Sequence, residues 1–596
     1  MILSGLDWIA IALFFLVVLA IGWWASKTSG KNIGEFFLGG RKMPWWLLGV
    51  SMVATTFSAD TPNLVTGMVR ESGVAKNWAW WSFLITGMVT VFIYAKLWRR
   101  SNVLTDLEFY EIRYSGKPAA FLRGFRALYL GIFFNCLIMG AVTLAAIKIS
   151  AVMFGVSPVV TVVIASVAVM IYASIGGFKG VVWADFFQYS ISMVGAVVAA
   201  YVAVKQPEVG SLKAILNSPA LQDKLTIIPS FSDPSVFIPM LIIPIAVQWW
   251  AVWYPGSEPG GGGYVAQRMF AAKDEKNAIG ATLFFNFAHY ALRPWPWIIV
   301  ALASLLVFPD LQSLKTAFPS IEDQYLGHDA AYPAMLTRLS PGILGLVLAS
   351  LIAAYMSTIS THLNWGSSYI VNDFYSRFIK PEASEKELVL VGRVSTVVLM
   401  ILAGTFSLTF LENATQAFNV LLLSGAGSGA IYLLRWFWWR VNAWTEIIAM
   451  LVAGIVGVLF ALILPDALFA TEVLDGSTMK LLVAVGITTI TWLVSIYATK
   501  PESEETLVNF YKLIRPGGPG WKRIVEKNDI EEGNVNGWDV PRGLLCVVLG
   551  CFGIYMALFS IGNFIYGNIL LGLFMLLGFS LATWLLFRIW SKLNID

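Results

Sequence analysis

Apolar runs of about 17–25 residues, enough to cross roughly 30 Å of hydrocarbon as a helix, recur along the whole chain. They lie near 6–25, 45–67, 78–97, 126–152, 157–174, 181–204, 236–254, 278–307 and 342–372, and continue near 388–411, 415–437, 444–465, 478–497, 542–564 and 567–588. The pattern predicts an all-α polytopic membrane protein with about fifteen transmembrane helices. An outer N-terminus with strict alternation places most of the 40 Lys and Arg residues in inner loops, as the positive-inside rule requires. Leu6 to Ala25 lacks a basic start and is followed by Lys27, Lys31, Arg41 and Lys42. It reads as a retained first helix rather than a cleaved signal. The expectation is a multi-pass protein of the cell membrane, with its N-terminus outside and its C-terminus in the cytoplasm.

Polar stretches are few. Those near 205–235 and 308–340 are expected outside, with short covering helices. Lys500 to Trp538 contains Arg515-Pro-Gly-Gly-Pro-Gly520 and mixed charge, and reads as a cytoplasmic loop with one short amphipathic helix after Ser503.

Composition removes the main alternatives. The 596 residues are 58% hydrophobic and 13% charged, against about 45–50% and 25% in soluble domains. Cys136, Cys546 and Cys551 all fall in apolar stretches, which suits packing rather than a disulfide framework or a metal cluster. The net charge of +4 sets orientation rather than an affinity for nucleic acid, and no nucleic-acid partner is expected.

Two spans break the rules of a continuous helix. The second, Gly49 to Gly67, carries hydroxyls, Asp60 and Pro62 in its middle. The seventh passes Pro239 and Pro244 and ends in Pro255-Gly-Ser-Glu-Pro-Gly-Gly-Gly-Gly263. Interrupted helices in hydrocarbon are tolerated where they line a cavity or are covered by protein, and in transporters they mark ion and solute sites. Kinks between packed helices would give the same residues. Spans two to six and seven to eleven supply five helices each, and the odd number inverts the second set. The ninth span adds Ser357, Thr358, Ser360 and Thr361. Their hydroxyls form a stripe that suits a hard cation, or else simply bonds back to the helix.

Charges inside the bilayer are costly unless paired or solvated. Lys148 and Arg293 lie within spans. Asp185, near the inner end of span six, can snorkel, pair with Lys179 or help a cation leave. Asp60 and Arg293 form either a buried pair or, through Arg293, a site for an anionic group. His289 and His362 read as packing residues.

The chain resembles the sodium:solute symporter family, relatives of the sodium/glucose cotransporters. The resemblance rests on Glu35-Phe-Phe-Leu-Gly-Gly-Arg41 leading to Pro44-Trp-Trp-Leu-Leu-Gly49, on Ser51 to Ala59, and on Tyr172-Ala-Ser-Ile-Gly-Gly177 with Val181-Val-Trp-Ala-Asp-Phe-Phe-Gln188. It continues in Tyr264-Val-Ala-Gln-Arg268, Ser357 to Asn364 and Asn372-Asp-Phe-Tyr375. These stretches run in the family's order through residues 1 to about 440. The resemblance implies a LeuT-type fold: two inverted five-helix repeats, one N-terminal helix and about four C-terminal ones. The segments would be 1–43, the first repeat at 44–206, the second at 236–440, peripheral helices at 441–499, the loop 500–541 and two final helices at 542–596.

It further implies sodium-coupled symport of a small polar solute by alternating access, with Na+ as the driving ion. Sodium ligands carried over by position are the carbonyls of Ala54, Phe57 and Ala354 and the hydroxyls of Ser357 and Thr358. A second sodium, or an ion exit path, would use Asp185 with Ser360 and Thr361. Solute contacts fall to Asp60, Thr61, Trp80, Trp250, Tyr254 and Arg293. Sugar-carrying relatives place a glutamine where this chain has Asp60-Thr61, and a lysine near Tyr290 to Arg293. These departures count against glucose or galactose and leave a sugar-like or carboxylate-bearing solute. The protein is expected to bind its solute, sodium and the lipid bilayer, and to work as a monomer. A membrane sensor built on a transporter module is the alternative, but it would need a kinase domain that nothing after Lys500 resembles. An enzyme would need a converging nucleophile and base, or a metal set, which the sequence does not supply.

Overall fold

The computed structural model describes residues 3–29, 38–530 and 538–593, without the side chains of 26–29, 171–177 and 462. Lys31 and the Glu35 to Phe37 part of the first matched stretch lie outside the described residues, as do the side chains of Lys27 and of Tyr172 to Gly177. The described residues form helices, with two isolated β-type pairings, Met43 with Ala272 and Val252 with Ala426.

Twelve helices among them are long and apolar enough to cross a membrane, against the fifteen expected from hydropathy. The difference lies in three places. The second span is split into α2 (Trp45–Thr56) and α3 (Asp60–Ser72). The fifth and sixth spans run on as one 47-residue helix, α5 (Pro158–Val204), after α4 (Asn135–Phe154); no proline follows Pro158 to stop it. The eleventh span holds a helix of only 11 residues, Ala414–Ser424.

The second half of the core begins with α6 (Gly263–Ala271), α7 (Glu275–Phe287) and α8 (Pro294–Val307), followed by the long α9 (Ile343–Ser368). Helix α5 packs along both α9 and α1 (Gly5–Ser29), while α2 lies between α5 and α7. Asp7 fixes the extra helix α1 to this core. Its Oδ1 accepts from the backbone N–H of Gly342 and Gly345, at 2.8 and 2.7 Å, satisfying donors at the start of α9 that have no partner within the helix. Lys148 is neutralised where it stands by Asp329, at 2.8 Å.

The segment after Lys500 is more than a polar loop. Ser503 caps a helix over Glu504–Ile514, as expected, but Phe510 and Trp521 are fully buried. Their rings lie 5.2 Å from the Arg113 guanidinium, a cation–π arrangement that fastens the segment beneath the core. Helices Val540–Ile565 and Ile569–Trp590 pair with each other at the end of the chain.

Candidate functional site

Three backbone irregularities build the site. The first separates α2 from α3. A proline ring clashes with the carbonyl four residues earlier and has no N–H to donate, so Pro62 cannot continue a helix that runs through Ser58. Helix α2 therefore stops at Phe57 (φ −88°, ψ 78°), whose N–H turns back to Val53 O and Ala54 O. Asp60 opens α3, with Pro62 in the first turn, where no intrahelical N–H is required.

The second irregularity runs from Val252, which is extended (φ −103°, ψ 132°), to Gly262. Its backbone is satisfied from outside: Trp253 N–H donates to Gly425 O at 3.0 Å, and Gly427 N–H donates to Ala251 O at 2.8 Å. Gly256 shows why this segment needs glycine. Its φ is +79°, and a Cβ there would stand 2.0 Å from the Tyr264 hydroxyl. The third irregularity is the turn before α8. Pro294 and Pro296 disrupt the ladder, Arg293 N–H reaches back five residues to Ala288 O at 3.3 Å, and the widened turn directs the Arg293 side chain inward.

At one end of the site, α2 crosses α9. Thr358 Oγ1 donates to Thr55 O at 2.8 Å, which brings the segments carrying Ala54, Phe57, Ala354, Ser357 and Thr358 face to face; all five are buried. Beside the crossing lies Asp185, wholly buried. It does not snorkel or pair with Lys179, whose ammonium lies over the Trp24 ring. Its two carboxylate oxygens each accept a hydroxyl at 2.5 Å, one from Ser357 and one from Ser51. The Arg268 guanidinium is 3.8 Å from Asp185 and is itself well satisfied. It donates to Ser51 Oγ at 3.2 Å, Thr361 Oγ1 at 3.2 Å and Gln267 Oε1 at 3.1 Å.

The hydroxyls of α9 divide between several partners. Ser357, expected beside Thr358 on the first ion, bonds Asp185, whereas Ser360 donates back to Ser357 O at 3.1 Å and makes no bond to the acid. Thr361 stands between Thr55 and Arg268.

The other end is a cavity of about 120 Å3, lined by Asp60, Thr61, Trp80, Tyr254 and Arg293 together with Thr56, Ser58, His289 and Tyr290. Thr55 and Thr358 also line it, so the cavity adjoins the helix crossing. Phe83 stacks on Tyr254 at 5.3 Å, and Phe418 meets the same ring at 5.3 Å. Arg293 donates to Thr56 Oγ1 at 3.3 Å and to His289 Nε2 at 3.0 Å. A guanidinium can only donate, so His289 Nε2 accepts, and its Nδ1–H donates to Thr56 at 3.0 Å. His289 is therefore neutral here.

Two expectations at this end are corrected. Asp60 and Arg293 form no ion pair; Asp60 Oδ1 and Arg293 Nε are both buried without a hydrogen-bond partner. Trp250 does not line the cavity. Its indole donates to Ala246 O at 2.8 Å, because the last helical turn before the break points it away. Sequence reasoning missed Arg268, Ser51 and Thr55. Arg268 stood inside a matched stretch without a role, and its only local signal is a permanent charge on a short helix whose residues are otherwise mostly apolar.

Comparison with known proteins gives this geometry its context. A model of the sodium:solute symporter family matches residues 36–454. The chain belongs to the sodium:solute symporter family. Among its relatives, a sodium/glucose cotransporter of Vibrio parahaemolyticus is 27% identical over 488 residues, covering 78% of this chain and 86% of that one. Sodium/glucose cotransporter 1 of Oryctolagus cuniculus is 26% identical, over 74% of this chain and 69% of its own. A solved structure of a Na+-coupled sialic acid symporter, in a substrate-bound outward-open state, superposes with a TM-score of 0.64 at 21% identity. It covers 84% of this chain and 99% of that one.

As a sodium:solute symporter, this chain is an all-helical, multi-pass membrane protein of LeuT-type fold. It carries out sodium-coupled solute transport and is a transporter, not an enzyme. A sensor role finds no support.

Proposed function

We propose that the α2–α9 crossing is the coupling sodium site and that the adjoining cavity holds a small polar solute. Sodium prefers oxygen ligands, and the crossing offers the carbonyls of Ala54, Phe57 and Ala354 with the hydroxyls of Ser357 and Thr358. The observation that carries this reading is the 2.8 Å bond from Thr358 to Thr55 O, made by two residues that also line the cavity. An ion bound there would fix the end of α2 and the cavity wall together. That is how ion binding favours solute binding in a coupled carrier.

One sodium per cycle follows from Arg268. A guanidinium already stands beside Asp185 and Thr361, where a second cation would otherwise go. The repeats would span 44–206 and 236–440, flanked by 1–43, 441–499, 500–541 and 542–596, with the N-terminus outside, the C-terminus in the cytoplasm and the monomer as the working unit. The inward voltage then contributes about 2.3 kcal/mol per charge per 100 mV.

Purified protein in proteoliposomes tests the assignment. An imposed sodium gradient should accelerate uptake, and Ser357→Ala combined with Thr358→Ala should abolish that acceleration. Sodium-dependent uptake that survives the double substitution would place the ion elsewhere.

A further inference from the structure

The charges lining the cavity narrow the class of solute. Among the described lining residues, Asp60 is the one acid and Arg293 the one strong base, and they are not paired with each other. Arg293 is 2% exposed. Of the five N–H donors of a guanidinium, two go to Thr56 and His289, and Nε has no partner at all. Trp297 lies beneath its planar face at 5.5 Å, so the donor edge remains for a ligand. The neutral His289 holds that edge without competing for an anion. Asp60 and Ser58 line the same cavity, and Asp60 Oδ1 and Ser58 Oγ are also buried without partners. Asp60 lies in the first turn of α3, where the helix dipole favours a negative charge.

Resting on the cavity assignment above, we infer that the transported solute is a small zwitterion, its carboxylate held by Arg293 and its ammonium by Asp60. The rest of the wall includes Trp80, Phe83, Tyr254 and Phe418 beside the hydroxyls of Thr56, Thr61 and Ser257, and accepts a compact body that is part apolar and part hydrogen-bonding. A cavity of about 120 Å3, a little smaller than the ~150 Å3 that takes a benzene ring, holds a solute of roughly six non-hydrogen atoms.

The rival chemistries each leave a charge uncompensated. A simple carboxylate pairs with Arg293 but faces Asp60 with like charge, and a simple amine does the reverse. A neutral polyol offers hydroxyls to both groups but neutralises neither, in a region where the dielectric makes an unpaired charge costly. A solute of no net charge with ends of opposite sign compensates both residues at once.

The test uses full-length protein and matched probes: β-alanine, γ-aminobutyrate and proline as zwitterions, propionate and butyrate as carboxylates, propylamine as an amine, and glucose and myo-inositol as polyols. Sodium-dependent uptake into proteoliposomes and the sodium-dependent rise in melting temperature are both read. At least one zwitterion should be accumulated, with its matched carboxylate and amine at least tenfold weaker as competitors. Asp60→Asn should cut zwitterion affinity at least tenfold, to the level of the matched carboxylate, and Arg293→Gln should cut it to the level of the amine. Asp60→Glu and Arg293→Lys should recover part of it. Retained stabilisation by sodium alone shows that each variant is folded.

Silence of every zwitterion, or accumulation of a polyol, overturns the inference. If that polyol's uptake falls in both charge variants, the cavity assignment stands. Zwitterion uptake unchanged in both variants would overturn the cavity assignment itself.

Discussion

Two of the acid–base sets within the membrane core are built in opposite ways. Around Asp185 and Arg268 each carboxylate oxygen has a hydroxyl donor at 2.5 Å, the guanidinium is 3.8 Å away, and its nitrogens are engaged by Ser51, Thr361 and Gln267. Around Asp60 and Arg293 an oxygen and a nitrogen are left without partners, and no ion pair forms. The first set is closed on itself and ties α2, α5, α6 and α9 together. The second lines a cavity and leaves those atoms unmet. Burial alone does not distinguish a structural charge from a binding charge; the number of unmet hydrogen bonds does.

The sharpest way to break this contrast is to open the closed set. Arg268→Gln leaves the Asp185 carboxylate buried without its cation, and removing one partner of a buried pair costs about 3–5 kcal/mol. A large fall in detergent melting temperature is expected. Asp185→Asn in the same chain should restore at least half of it, because the residues interact and their effects do not add. A double-variant loss equal to the sum of the two single losses would mean that the two residues are independent.

The boundary between the sets comes next. Gly256→Ala forces a left-handed φ of +79° on a residue with a Cβ and pushes that Cβ against the Tyr264 hydroxyl. Strain of about 1–2 kcal/mol is expected from the backbone alone. The added methyl narrows the cavity, so solute affinity should fall more than stability does. Sodium-induced stabilisation should be kept, as read by melting temperature with and without the ion.

Of the two sets, the open one should respond less in stability. Arg293→Gln removes a guanidinium that is desolvated yet only partly bonded, so the change should stay within about 1 kcal/mol, since two hydrogen bonds are lost while a buried charge is relieved. A loss as large as that of Arg268→Gln would show that both arginines are structural and erase the distinction.

Much of this was legible beforehand, for physical reasons that can be named. Pro62, and the run from Pro255 to Gly263, announce their helix breaks because neither can sustain an i to i−4 ladder. The hydroxyl stripe on α9 follows from helical spacing. The direction of Trp250 was not legible, because the turns that lead to it, Ile238–Ile242 and Pro244–Gln248, are π-helical and do not keep the 3.6-residue period. The partnership of Arg268 with Asp185 depends on how α5 and α6 pack, which no local pattern encodes. Hydropathy also merged α2 and α3 into one span, since it registers apolar length and not backbone continuity. The burial of Phe510 and Trp521 was masked by the charges on either side of them.

The same reasoning extends to a third acid–base set outside the spans, which is the weakest. Glu111 accepts from Arg123 at 2.6 Å and from Arg377 at 2.9 Å, joining 109–113 to the end of the ninth span. Partial burial pushes the Glu111 carboxyl up, but the hydrogen bonds from Arg377 and Arg123 outweigh it and hold it below its ordinary value of 4.5. A carboxyl depressed in the folded state contributes stability that is present above its unfolded value and is lost as pH falls through the folded one. Glu111 is partly exposed to solvent, so water screens the interaction and Glu111→Gln should cost no more than about 1 kcal/mol at neutral pH. The difference in melting temperature between wild type and Glu111→Gln should shrink as pH drops below 4.5, and it should shrink as well in high salt. The Arg268→Gln deficit, shielded from solvent, should not respond to salt. A salt-sensitive Arg268 deficit would mean that water reaches the closed set, and that the contrast between the two sets within the membrane is one of degree.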